Sequence, residues 1–204
     1  MKRLFMVLAV AAIAVTASAQ VNFNIRGGVG LSNLTGDGSP DCGFAYKIGA
    51  GIEVPIASGF YFQPSLYFEG LSFKKEVNVT SAASVKTTSH PLYLQLPLDI
   101  AYKVAVDNSS NIAFKVGPYL GFGVGGKQRY TANVLGASGT TKYDYFDDGV
   151  AKSFDAGIDF GIDYEFAGNW VVGINGQYGF TDVSDVDNVS NHNLDAFLTL
   201  GYRF

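Results

Sequence analysis

The chain is poor in charge and nearly free of cysteine. Only 16% of its 204 residues are Asp, Glu, Lys or Arg, against about 25% in an average soluble domain. Its single cysteine, Cys42, cannot pair within the chain, so a disulfide framework is excluded. Disorder is excluded as well, because 14% of the residues are aromatic and 48% hydrophobic. The formal net charge of −4 argues against sequence-independent nucleic-acid binding, which needs a basic surface. Beyond the first residues there is no run of about 18 apolar residues, so the body of the chain lacks a transmembrane helix.

What is present begins with a processing signal. Lys2 and Arg3 precede an apolar run from Leu4 to Val15, and Ala17-Ser18-Ala19 offers small residues at a cleavage site. Residues 1–19 are therefore expected to be a signal peptide and residues 20–204 the mature domain. Cys42 lies too far from that site to be a lipoprotein anchor.

The body of the chain alternates. From Phe154 to Phe166 one set is Phe154, Ala156, Ile158, Phe160, Ile162, Tyr164 and Phe166. The interleaved set is Asp155, Gly157, Asp159, Gly161, Asp163 and Glu165. A strand puts these sets on opposite faces, whereas a helix would scatter both around its circumference. The pattern recurs from Val21 to Leu31, Phe44 to Ile56, Phe60 to Phe68, Leu92 to Val104, Ile112 to Val124, Trp170 to Phe180 and Leu194 to Phe204. Eight such segments of about 10 or more residues suit tilted membrane crossings. The connections alternate between tight turns (57–59, 107–110, 167–169) and longer loops near 35–42, 70–90, 126–150 and 182–191.

Alternation alone does not say which face points outward, since an exported soluble cup would turn the apolar set inward. Three features favour apolar-out. The polar set is rich in glycine, which suits a narrow interior. Aromatics cluster at strand ends, as lipid-facing girdles do, and short turns alternate with long loops. The fold expected is an all-β, eight-stranded antiparallel up-and-down transmembrane β-barrel with both termini in the periplasm. Ile158→Arg, on the lipid side, is expected to cost about 2–4 kcal/mol.

Several segments resemble the PorT-like outer-membrane β-barrel family of the Bacteroidetes type, a barrel of OmpX/OmpA-like size. They are Gly28-Val29-Gly30-Leu31-Ser32-Asn33-Leu34, Phe62-Gln63-Pro64-Ser65-Leu66, Leu92-Tyr93-Leu94-Gln95-Leu96-Pro97-Leu98, Gly117-Pro118-Tyr119 and Gly201-Tyr202-Arg203-Phe204. The resemblance covers essentially the whole mature chain in order. It implies an integral outer-membrane protein, and for some members service to secretion machinery.

The motifs that mimic chemistry each have a plainer reading. Gly121-Phe122-Gly123-Val124-Gly125-Gly126-Lys127 imitates a phosphate loop, but Gln128 follows the lysine and no helix follows the loop. The inward set carries Arg26, Lys47, Lys103, Lys115 and Arg203 against Glu53, Glu69, Asp99, Asp155, Asp159, Asp163, Glu165 and Asp195. An ion-paired plug is favoured over a cation-preferring pore, because an eight-stranded interior is just wide enough to be filled by side chains. His90 beside Ser89 and His192 beside Ser190 raise a lipid A-modifying enzyme, but neighbours on a strand point oppositely and neither pair is expected to be ready-made. Asp182, Asp185, Asp187 and Asn188, with Asp144, Asp147 and Asp148, could supply oxygen ligands, yet they lack the spacing of a calcium loop and suit turns. Tyr130, Tyr143 and Tyr145 are candidates for partner contact.

The sequence thus points to a non-enzymatic outer-membrane barrel displaying four loops for surface interaction or envelope integrity. Alternatives are a secretion accessory, a lipid A-modifying enzyme and a small-solute pore. No catalytic, cofactor or metal residues are assigned. Outer-membrane lipids and lipopolysaccharide are the expected surroundings, envelope or secretion-system proteins the possible partners, and a monomer the expected state.

Overall fold

The computed structural model describes residues 21–36, 40–80, 83–134, 137–146, 151–166, 169–185 and 188–204. The proposed signal peptide, Asp147, Asp148 and Asp187 lie outside them, as do two residues of the 167–169 turn. The described residues form ten strands: β1 (Asn22–Gly36), β2 (Asp41–Ala57), β3 (Phe60–Gly70), β4 (Phe73–Thr80), β5 (Ala83–Ala105), β6 (Asn111–Val134), β7 (Ala137–Asp144), β8 (Phe154–Phe166), β9 (Trp170–Gly179) and β10 (Asn191–Arg203). Every pairing between them is antiparallel.

Eight of the ten close a ring. β1 pairs with β2, β2 with β3, β3 with β5 and β5 with β6. β6 continues to β8, β8 to β9, β9 to β10, and β10 returns to β1. A closed ring leaves no unpaired backbone edge, the condition hydrocarbon imposes on any strand that crosses it. No helix among the described residues is long and apolar enough to cross a membrane.

The apolar set faces out. Ile174 is 67% exposed and Phe23 57%, whereas Asp163 and Gln177 are 0% exposed inside the ring. Ile158 faces outward but is half-covered between its ladder neighbours Pro118 and Tyr178. Aromatics gather at both rims. Phe60 packs on Tyr102 at 4.7 Å and Trp170 on Tyr202 at 5.3 Å at the short-turn end. Phe122 and Phe154 meet at 5.5 Å, and Tyr178 and Phe180 at 5.8 Å, at the other.

The turns at 57–59 and 107–110 hold as the sequence suggests. Gly59 takes a φ of 78°, which favours glycine. The Asp107 carboxylate accepts the Ser109 N–H at 2.7 Å, and that bond above all holds its pKa below the ordinary value.

Two of the long loops require correction. Segments 70–90 and 126–150 are mostly strand: β5 begins at Ala83 rather than near Leu92, and β6 runs to Val134. These added lengths pair with each other and carry β4 and β7 on their flanks. The order β4–β5–β6–β7 forms a four-stranded sheet that rises from one rim. Nine residues of β5 (83–91) reach about 30 Å along the strand at ~3.3 Å each. A bulge on β6, where Leu92 opposes Gly125 and Tyr93 opposes Gly123, separates sheet from barrel. Beside it Gly126 has a φ of 139°, and a Cβ there would stand 2.5 Å from the His90 carbonyl.

Candidate functional site: the lumen and the sheet above it

All thirteen charged residues expected inside the barrel lie on the inner face, buried or half-buried. They divide into two zones. Toward the short-turn end Lys103 bridges Glu53 and Glu165, each at 2.6 Å. Arg203 reaches Glu165 at 2.8 Å and Glu53 at 3.7 Å. Deeper in, Asp163 pairs with Arg26, and with Lys115 at 3.7 Å. Burying an unpaired charge costs several kcal/mol, so this interlinked pairing is what makes a charged interior tolerable.

The other zone holds more carboxylates than cations. Glu69, Asp99, Asp155, Asp159 and Asp195 face it; Lys47 is the counter-charge of Glu69 and Asp195, and shares Asp99 with Lys115. Lys47 lies over the Phe197 ring at 4.3 Å and the Tyr67 ring at 5.1 Å. Neutral donors complete the zone. Tyr119 and Asn193 each donate to Asp155 at 2.8 Å, and Gln177 donates to Asp159 at 2.8 Å and to Gln95 at 2.6 Å.

Above this zone the mouth is stoppered with apolar side chains. Ala45, Leu71, Phe73, Tyr93 and Phe197 form one buried cluster, with Leu34 and Phe146 packed on it. Phe146 enters from the segment after β7 and meets Tyr93 at 5.3 Å and Tyr145 at 5.1 Å. Its ring occupies the space beside Gly123 that any side chain there would claim. Ser32 ties the stopper down, accepting the Ser72 N–H at 3.1 Å and donating to its carbonyl at 3.0 Å. At the opposite end a polar vestibule of about 540 Å³ opens, lined in part by Asn22, Tyr61, Lys103, Asn111 and Arg203.

The remaining sequence candidates separate. Tyr130 and Tyr143 are exposed and pack edge-on at 5.9 Å, as partner contact would need. Tyr145 is not available, being only 5% exposed inside the mouth. Gly121 to Lys127 lie along β6, a strand and not a loop leading into a helix. Asp182 caps its own turn, accepting N–H groups from Ser184 at 3.0 Å and Asn191 at 2.9 Å. Among the described residues no three His, Cys, Asp or Glu side chains converge on a metal position. Cys42 is exposed, paired through its backbone with Phe73 of β4.

The two Ser–His pairs behave differently. Ser89 is buried and His90 exposed, so these neighbours point apart as expected. Ser190 and His192 are two positions apart rather than adjacent, and Ser190 Oγ stands 3.4 Å from His192 Nε2. Nδ1 of that ring faces the Thr181 carbonyl at 3.0 Å, where a triad would place a carboxylate. The pair is in reach, but its orienting partner is backbone.

His90 reports on its surroundings. Partial burial, then the neighbouring charges of Arg129 and Lys74, hold its imidazole below the ordinary histidine pKa. Arg129→Gln should therefore raise the His90 midpoint, and an NMR pH titration of the imidazole shift would read the change.

A closed ring of eight antiparallel strands, apolar outside and charged within, defines a transmembrane β-barrel of the outer-membrane type. The chain belongs to the outer membrane protein beta-barrel domain family, whose match runs over residues 14–185. The narrower PorT-like likeness stays a resemblance. Among solved structures the chain is similar to Neisserial surface protein A, with 12% identity over 89% of this chain and 97% of that one and a TM-score of 0.45. It is also similar to the attachment invasion locus protein Ail of Yersinia pestis (13% identity, 90% and 98% covered, TM-score 0.37). OprG of Pseudomonas aeruginosa gives 15% identity, 91% and 97% coverage and a TM-score of 0.36. Among curated proteins none matches the chain.

Proposed function

We propose that the protein is a non-enzymatic surface-interaction protein of the outer membrane that presents the β4–β5–β6–β7 sheet to the exterior. The observation that carries this reading is the sheet itself. All eight residues of β7 are exposed, and β6 is its only ladder partner among the described residues, which leaves its outer edge open there. An open edge cannot sit in hydrocarbon, so the sheet must stand clear of the hydrocarbon core. Such an edge can accept an extended segment of a partner by strand addition, and the exposed Tyr130 and Tyr143 pair lies across the last two strands. The stoppered mouth and ion-paired lumen support a plug rather than a conduit. Long excursions on the outer side and short turns on the periplasmic side would place both ends of the barrel domain in the periplasm.

Cysteine labelling in intact cells tests the orientation. In a Cys42→Ser background, Thr140→Cys should react with a membrane-impermeant maleimide while Ser109→Cys should not. The reverse pattern would invert the barrel and end the display reading. Planar-bilayer recordings of the refolded chain should lack stable conductance steps; discrete steps would revive the pore.

A further inference from the structure

The raised sheet separates charge between its faces. Residues directly opposite one another in a ladder share a face. One such row crosses all four strands as Lys74–Thr88–Arg129–Lys142. Nearer the barrel lies His90–Lys127–Asp144, and farther out Glu76–Lys86. Lys74, Lys86, Lys127, Arg129 and Lys142 are all exposed. Against them stand two carboxylates, and Asp144 is already paired with Lys127. The opposite face contributes Lys75 alone to the charge of these rows. In a chain of net charge −4, this concentration runs against the composition.

The side on which the basic face looks follows from strand parity. Along β5, Lys86, Thr88 and His90 share a side with Leu92 and Leu94, the outward-facing residues of the barrel wall. On β6 the bulge near Val124 shifts parity, so that Lys127 and Arg129 continue the side of Phe122. The basic face is therefore the upward continuation of the lipid-facing wall, not of the lumen. Its rows stand roughly 7, 13 and 20 Å along the strand beyond Leu92, at ~3.3 Å per residue. With strands tilted by about 40°, the rows stand roughly 5, 10 and 15 Å in height above Leu92, through a headgroup layer about 5–8 Å thick and into the sugars beyond it. The depressed His90 pKa supports the convergence of Arg129 and Lys74 there.

The geometry points to a strip that grips the phosphate groups of anionic glycolipid in the leaflet beside the barrel. Lys74, Lys86, Arg129 and Lys142 meet the phosphates, and the interleaved Thr88 and Thr131 hydroxyls meet sugar oxygens. This rests on the reading that the raised sheet stands on the outer side. Each Lys or Arg close to an anionic membrane surface contributes about fivefold in affinity, and salt screens the effect.

The test uses the full chain refolded in a non-ionic detergent. The probe is lipopolysaccharide truncated to lipid A and a phosphorylated inner core, alongside the same material dephosphorylated. Binding by the chain should be strong at low salt for the phosphorylated probe and weak for the other. The triple substitution Lys86→Gln, Arg129→Gln, Lys142→Gln should weaken it on the order of a hundredfold. Lys75→Gln, on the other face, should leave it unchanged, and retained heat-modifiable migration shows that each variant is folded. Equal binding by the triple variant, or by the dephosphorylated probe, overturns the proposal. So does tighter binding of a heparin fragment or single-stranded DNA, which would make a free polyanion the ligand. Failure here with Thr140→Cys still labelled from outside removes the strip alone, whereas failure of that labelling removes the display reading.

Discussion

Replacing Asp163 by Leu should destabilise the barrel by about 3–5 kcal/mol, the range for breaking a buried ion pair by removing one partner. Asp163 is 0% exposed and faces both Arg26 and Lys115. Without it Arg26 and Lys115 lose the one carboxylate that pairs with both, and Glu53 and Glu165, nearer the short turns, are committed to Lys103 and Arg203. The cost comes from the stranded charges and not from the lost contact. Removing Arg26 as well, as Arg26→Met with Asp163→Leu, should therefore restore a substantial part of the loss. Urea titration of the protein folded in lipid vesicles, followed by heat-modifiable migration, gives both values. A single-variant loss below about 1 kcal/mol, the scale of a screened surface pair, would mean that water reaches this level of the lumen freely.

Ile174→Arg should cost about 2–4 kcal/mol in the same assay, the penalty for a cation on the lipid face near mid-membrane. Ile174 is a fuller test than Ile158, because it is 67% exposed and sits in the ladder between Ile162 and Leu198. Arginine at an outer position closer to the rim can carry its charge to the interface and should cost less. The penalty should vanish in plain detergent micelles, where headgroups close around the charge. An equal penalty in both would place Ile174 in a protein contact instead.

Most of the barrel was legible because one physical constraint wrote it twice. A wall with lipid on one side and a narrow polar lumen on the other forces period-two alternation in every crossing. It also sorts every charge inward, as Asp155, Asp159, Asp163 and Glu165 show on β8 alone. The raised sheet was not legible, because both its faces are mainly polar and the apolar half of the signal disappears. Phe73 to Thr80 and Ala83 to Ser89 read as polar loops by hydropathy. Their Val and Thr content was the available sign of strand. Tyr145 was misplaced for a related reason: a loop aromatic is exposed by default, and nothing local marks one that turns into the barrel mouth. Ser190 and His192 lie two positions apart, so the rule that strand neighbours point apart does not separate them.

Spin-label accessibility along β9 and β10 in a lipid bilayer tests the orientation of the wall most directly. Labels at Val172, Ile174, Leu198 and Leu200 should collide readily with oxygen dissolved in the acyl chains, and labels at Gly173 and Thr199 should not. Accessibility that rises instead at Gly173 and Thr199, or a mature chain that stays folded and monodisperse in buffer without detergent, would contradict a membrane-spanning barrel with its apolar face to lipid.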